Sequence, residues 1–128
     1  MAVDFFDIVI VGAGAAGMTA AIFAGREARH QGKKIRIGLL DGARKPGAKI
    51  LVSGGTRCNV TNETVTEKDY FGGSPNTIRN VLRQFDHHQT VSWMKEMGVR
   101  LKGEPRGKLF PETDKARTVL NELFRAIK

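Results

Sequence analysis

Three glycines spaced as G-x-G-x-x-G, Gly12-Ala13-Gly14-Ala15-Ala16-Gly17, follow an unbroken β-branched run, Ile8-Val9-Ile10-Val11. The spacing alone is weak evidence, and its flanks make it specific. Phe5 to Val11 predicts a strand, and its continuous apolar run suits a parallel strand buried on both faces. From about Ala15 to Arg29 the pattern predicts a helix. Met18, Ala21, Ile22 and Gly25 fall at i, i+3, i+4 and i+7 and form one packing face. Ile35 to Leu40 predicts a second strand ending at Asp41. Such a strand–helix–strand unit is almost always a right-handed crossover with parallel strands. The expected fold class is therefore α/β, of the Rossmann type.

In that context each glycine has a task. Gly12 permits the tight turn, Gly14 lets backbone approach a pyrophosphate, and Gly17 lets the helix sit close to the strand. The free amides at the helix start then face the phosphates, and Ala13, Gly14, Ala15 and Ala16 are the candidate cofactor-binding residues there. There the macrodipole adds roughly 0.3–1 kcal/mol of attraction per charge. Asp41 lies 24 residues after Gly17. Its carboxylate suits ribose hydroxyls and repels a 2′-phosphate, which favours FAD or NAD over NADP. Gly42, beside it, joins the same candidate site. As a strand-end surface acid, Asp41 is expected to matter for binding and little for folding.

Residues 42–76 are rich in Gly, Thr, Asn and Ser and are expected to form a long loop region, of the kind that is usually functional or disordered. A helix is expected from Asn76 or Thr77 to Phe85. Asp86 then caps another helix, with Gln89 three residues on completing a capping-box variant; that helix runs to Met97 and stops at Gly98. Val99 to Leu101 and Lys108 to Phe110 are expected to pair as a hairpin around Glu104-Pro105-Arg106-Gly107. The last helix starts near Thr113 or Asp114. Ala116, Val119, Leu120, Leu123 and Ile127 form its apolar face, which needs a partner.

The segment Gly47-Ala48-Lys49-Ile50-Leu51-Val52-Ser53-Gly54-Gly55-Thr56-Arg57-Cys58-Asn59-Val60-Thr61-Asn62 resembles G-R-K-x-x-x-S-G-G-G-R-C-N-x-T-N. That motif marks a bacterial flavoprotein family of aminoacetone oxidase-like and bile-acid reductase-like enzymes. Gly107-Lys108-Leu109-Phe110-Pro111 and Asp114-Lys115-Ala116 are similar to the family's G-R-V-F-P…S-x-K-A segment. Ala48 stands where the family has Arg, and Thr56 where it has a third Gly. The resemblance implies FAD as cofactor, with the Ser53–Asn59 loop wrapping the flavin. On this reading residues 1–41 are the dinucleotide unit, 42–76 the flavin-contacting region, and 77–128 helices and a hairpin. Family members are longer, so the chain is expected to be the N-terminal part of an FAD-binding domain.

Residue chemistry is compatible with that role. Gly54 and Gly55 permit close backbone approach, Ser53 and Asn59 offer compact hydrogen-bonding groups, and Lys49 and Arg57 suit a phosphate or an anionic reduced flavin. Cys58 is the sole cysteine, which excludes an internal dithiol; it reads as a small buried filler beside the cofactor. His87 and His88 fall in the first turn of a helix and read as surface or capping residues. No residue is a convincing catalytic acid or base. The expectation is an FAD-dependent oxidoreductase segment acting with a small-molecule substrate, with NAD(P)H a candidate electron donor. The alternatives are a non-catalytic nucleotide-binding module and a basic RNA-associated flavoprotein.

Charge and hydropathy narrow the setting. The net charge is +8, of which +1 falls on residues 1–41 and +7 on residues 42–128. The basic residues are scattered along the chain, without a run of five or interleaved aromatics, so no nucleic-acid partner is expected. The apolar stretch Ile8 to Ala24 is broken by glycines and preceded by Asp4 and Asp7, which suits neither a secretory signal nor a membrane span. A cytoplasmic location follows as the expectation.

Overall fold

The computed structural model describes residues 4–128. Strand β1 (Ile8–Val11) pairs in parallel with β2 (Ile37–Leu40), Val9 opposite Gly38 and Val11 opposite Leu40. Helix α1 (Ala15–His30) connects them. Its first half is rich in alanine, the best helix former. Its last turn carries Arg29 and His30, suited to the negative end of the helix dipole. The predicted face is the one that packs: Met18, Ala21 and Ile22 are buried, with Met18 at 0% exposure.

Gly17 explains how α1 can lie so close to β1. A Cβ built at this position would stand 1.8 Å from the carbonyl oxygen of Gly12 and 3.4 Å from the Ile10 side chain. Gly12 turns the chain with φ of 101° and donates its N–H to the Leu40 carbonyl at 2.7 Å.

Burial of β1 on both faces is not observed. Val9 and Val11 are 53% and 84% exposed. The side chains of a strand alternate between faces. The Ile10 side takes α1, while the Val9–Val11 side is uncovered among the described residues.

The expected loop region 42–76 is more structured than its composition suggests. It contains α2 (Ala48–Val52), β3 (Thr61–Asn62) and a 3-10 turn at Glu67–Asp69 closed by a Thr66–Asp69 capping box. Tertiary partners account for this. Ile50 of α2 is buried in the core, and β3 pairs with a strand that lies over forty residues downstream. Next come α3 (Pro75–Gln84) and α4 (His87–Glu96). Helix α3 begins at Pro75, one residue ahead of the expectation, because proline is favoured in a first turn. The Asp86–Gln89 capping box is present in full, and Gly98 follows with φ of 91°.

Strands β4 (Leu101–Gly103) and β5 (Lys108–Pro111) form a hairpin around the expected turn, with Gly103 opposite Leu109, but β4 starts two residues later than expected because Val99 is drawn into the core. Strand β3 adds to the other side of β5, giving the antiparallel order β3-β5-β4. Val99 lies before this sheet, 1% exposed, with its N–H closing α4 on the Met94 carbonyl. Helix α5 (Ala116–Ile127) starts later than expected because Asp114 has a left-handed φ of 55°, which a right-handed helix excludes. Its apolar face finds its partners in α1 and α2. Val119, Leu120 and Leu123 are buried in one cluster with Met18, Ile22, Ile50, Cys58, Trp93 and Met94.

The Gly17 contact yields a direct test. Gly17→Ala places a methyl against backbone that cannot rotate away. Stability should fall by at least about 1–3 kcal/mol, the usual cost of overpacking, measured by urea or thermal unfolding. An unchanged unfolding midpoint would show that α1 does not rest on the Gly12 turn as described.

Candidate functional site

Two loops carry the predicted site residues, and both are rooted in the same hydrophobic core. Ala13 of the glycine loop is 3% exposed and Cys58 of the second loop 7% exposed, and both belong to the buried cluster beneath α5.

The glycine loop ends at the start of α1. Gly14 is the N-cap residue and makes no side-chain cap, and no acidic residue occupies the first turn. A Cβ built on Gly14 would meet no atom within 4 Å. Ala15 and Ala16 are in that turn, neither of them buried. An α-helix leaves its first amides without intrahelical acceptors, so this end is both open and rich in donors.

Asp41 closes the loop from the next strand. One carboxylate oxygen accepts the N–H of Ala13 at 2.6 Å, and the other accepts the N–H of Ala43 at 2.7 Å. The bonds to Ala43 and Ala13, in that order, hold its pKa below the ordinary aspartate value of 3.8. The acid therefore ties β2 to the glycine loop, a structural role that its exposed strand-end position did not suggest. Gly42, between the acid and Ala43, is exposed, and a Cβ built there would meet no atom within 4 Å.

The second loop follows α2. Ser53 ends that helix: its hydroxyl donates to the Ile50 carbonyl at 2.7 Å, and its own carbonyl accepts the Cys58 N–H at 3.0 Å. Gly54 has φ of 55°, and a Cβ there would lie 2.5 Å from the Asn59 nitrogen and 2.8 Å from the Phe110 ring. Its missing side chain serves packing within the protein. Gly55, with φ of 66° and empty space beside it, is the glycine that leaves backbone open to an approaching molecule. Asn59 and Lys49 stand exposed. Cys58 is buried, and that burial pushes its thiol pKa up, against a smaller opposing effect of its hydrogen bond to Ser53. Its side chain packs in the core as a small buried residue.

Arg57 has more partners than its sequence neighbours reveal. Its guanidinium reaches the Glu104 carboxylate at 2.5 and 3.0 Å and Asp114 at 3.3 Å. It also lies 4.1 Å from the centre of the Phe110 ring. The hydrogen bond to Glu104 is the main cause raising the Arg57 pKa and lowering that of Glu104. Lys102 also pairs with Asp114 and, with Arg57, holds the Asp114 pKa down. Glu104, Asp114 and Phe110 were absent from the sequence-based site. Glu104 is 47 residues from Arg57, and no local spacing signals that pairing. The His87 and His88 rings lie side by side, 4.1 Å apart and tilted, in the first turn of α4, and His87 lines a groove that also includes Asn59 of the second loop.

A family model described as the HI0933-like protein Rossmann domain matches residues 6–128. The ribosomal RNA dihydrouridine synthase of Escherichia coli (strain K12) is 36% identical over 118 residues, which cover 92% of this chain and 28% of that protein. The 3-dehydro-bile acid delta(4,6)-reductase of Clostridium scindens is 38% identical over 116 residues, 91% of this chain and 27% of the relative. An opine oxidase component from Agrobacterium tumefaciens is 32% identical over 104 residues, 80% of this chain and 19% of the relative. The chain thus spans between about a fifth and just over a quarter of the length of these relatives.

The two Asp41 bonds set a pH-dependent expectation. A carboxylate whose pKa is lowered on folding contributes stability above its unfolded pKa and loses it as pH falls through the lowered folded value. Asp41→Ala should therefore melt below the parent protein at neutral pH, and the gap should close as pH falls into that acid range. Asp41→Asn retains one acceptor oxygen and should fall between. Coincident thermal melts of all three at neutral pH would show that the carboxylate does not hold the loop.

Proposed function

The chain belongs to the HI0933-like Rossmann family, and on that premise we propose that it grips the ADP half of FAD in a flavin-dependent oxidoreductase. One observation carries this reading: the unfilled space at Gly14, flanked by the open first turn of α1 and by the Asp41 carboxylate. The residues present fit the cofactor. A Cβ at position 14 would project into the space a pyrophosphate needs, and the amides of Ala15 and Ala16 supply donors beside it. Each Asp41 oxygen uses one acceptor position on a backbone amide and retains another for a ribose hydroxyl.

The Ser53–Asn59 loop is assigned to the flavin side, with Gly55 and Asn59 as its open groups. FAD, when bound, supplies the hydride-accepting centre of such an oxidoreductase. The residues of this chain bind and orient, and the small-molecule substrate and a nicotinamide donor belong to the same proposal. No helix among the described residues is long and apolar enough to cross a membrane.

RNA as substrate is the second reading, and a specific arrangement favours it. Arg26, Arg29, Lys33, Lys34, Arg125 and Lys128 gather around one groove of about 710 Å³ between α1, β2 and the end of α5. Among the described residues, no Asp or Glu side chain lines that groove. One of the relatives, that of Escherichia coli, is named as a ribosomal RNA dihydrouridine synthase.

Two measurements separate these readings. Flavin released by acid from the full-length protein should be FAD, and Gly14→Ala should weaken FAD binding about tenfold or more, a loss of about 1.4 kcal/mol. The melt of the apoprotein should fall only slightly, because the added methyl meets no atom and only the N-cap preference for glycine over alanine is lost. Recovery of FMN alone, or parent-like affinity in Gly14→Ala, would defeat the pyrophosphate assignment. For RNA, log affinity should fall linearly with log salt, and Lys33→Ala and Lys34→Ala should each reduce the slope by about one. Salt-insensitive or absent RNA binding removes the second reading.

A further inference from the structure

Around Arg57 the backbone departs from its ordinary conformations. Among the described residues, four that are not glycine have left-handed φ: Thr56 at 71°, Cys58 at 65°, Arg106 at 68° and Asp114 at 55°. Thr56 and Cys58 flank Arg57 directly. Asp114 is one of its carboxylate partners, and Arg106 lies two residues beyond Glu104, the other. A β-branched residue such as Thr56 in this region is a genuine outlier. Conformations of this kind persist only where the surroundings over-determine them, and they cluster at functional sites.

The surroundings in question are specific. Thr56 offers its carbonyl to the Ala116 N–H at 2.9 Å, fastening the loop to the start of α5. Arg57 reaches outward to the β4–β5 turn through paired bonds to Glu104, to the segment before α5 through Asp114, and onto the Phe110 ring of β5. Its side chain is 37% exposed and that of Glu104 26%, so the clamp sits half-buried at the loop's base. A guanidinium can make paired bonds and stack at once, which an ammonium cannot.

We propose that Arg57 is a positioning residue. Through its clamp on Glu104, Asp114 and Phe110 it holds the Ser53–Asn59 loop in one conformation before any ligand arrives, and it does not itself contact the cofactor. The word cofactor rests on the FAD reading above; the clamp does not. A guanidinium acting directly on an anionic flavin or phosphate predicts the opposite response to loss of Glu104, because removing the carboxylate would free the cation.

The test uses the full-length protein with Glu104→Ala, the milder Glu104→Gln, and Arg57→Lys. Hydrogen exchange is followed in ligand-free protein, FAD affinity by quenching of flavin fluorescence, and integrity by thermal melt. Glu104→Ala and Arg57→Lys should speed exchange of the hydrogen-bonded Ser53 and Cys58 amides while leaving those of Gly12 and Ala13 as protected as in the parent. Both should weaken FAD binding about tenfold, a loss of about 1.4 kcal/mol. Glu104→Gln, which keeps the packing, should shift both readouts in the same direction by less. Unchanged exchange at Ser53 and Cys58 overturns the clamp, and so does FAD binding that is unchanged or tighter in Glu104→Ala. If the parent protein takes up no FAD, the proposed function fails, and the exchange comparison still decides the clamp.

Discussion

Helix α1 can rest on the first strand only because position 17 carries no Cβ, and much of the molecule is arranged around that close approach. The 1.8 Å that would separate a Cβ from the Gly12 carbonyl leaves no room for any other residue. With α1 seated there, Met18 and Ile22 face the interior, and α5 can pack its Val119, Leu120 and Leu123 against them. The same geometry leaves the start of α1 open beside Gly14. The packing constraint and the candidate binding feature are thus two ends of one turn.

The second loop is held by different physics. Its interior is apolar, with Cys58 in the core and Gly54 pressed against Phe110. Its rim is ionic, through Arg57, Glu104, Asp114 and Lys102. Exposed ion pairs taken singly contribute little. Here a half-buried guanidinium serves two carboxylates and an aromatic face together, and geometry matters more than the count of charges. The two loops differ accordingly: backbone amides and one aspartate organise the first, and side chains from distant strands organise the second.

Distance along the chain decided what could be read in advance. The Asp86–Gln89 capping box, the Gly98 stop and the turn of the β4–β5 hairpin depend on residues a few positions apart, and all three form where expected, though β4 itself is displaced by two residues. Helix α2, strand β3 and the Arg57 clamp depend on partners tens of residues away. They lay within a stretch whose Gly, Thr, Asn and Ser content looked like loop. Charge followed the same rule. The six cations around the α1–β2–α5 groove come from positions 26 to 34 and from 125 and 128, so they look scattered until α5 folds back onto α1.

The amino-acid sequence by itself determined the crossover of β1, α1 and β2, the glycine turn, the acid at the end of β2 and the resemblance to a flavoprotein family. These rest on local sterics and on a period of hydrophobicity, both of which are written in neighbouring residues. Only the tertiary structure decided that Asp41 ties down the glycine loop through the Ala13 and Ala43 amides, that Gly54 and Gly55 have different tasks, and that Arg57 is engaged by Glu104 and Asp114. Each of these is a hydrogen bond or an exclusion of volume between segments that meet only after folding, and spacing along the chain carries no record of it.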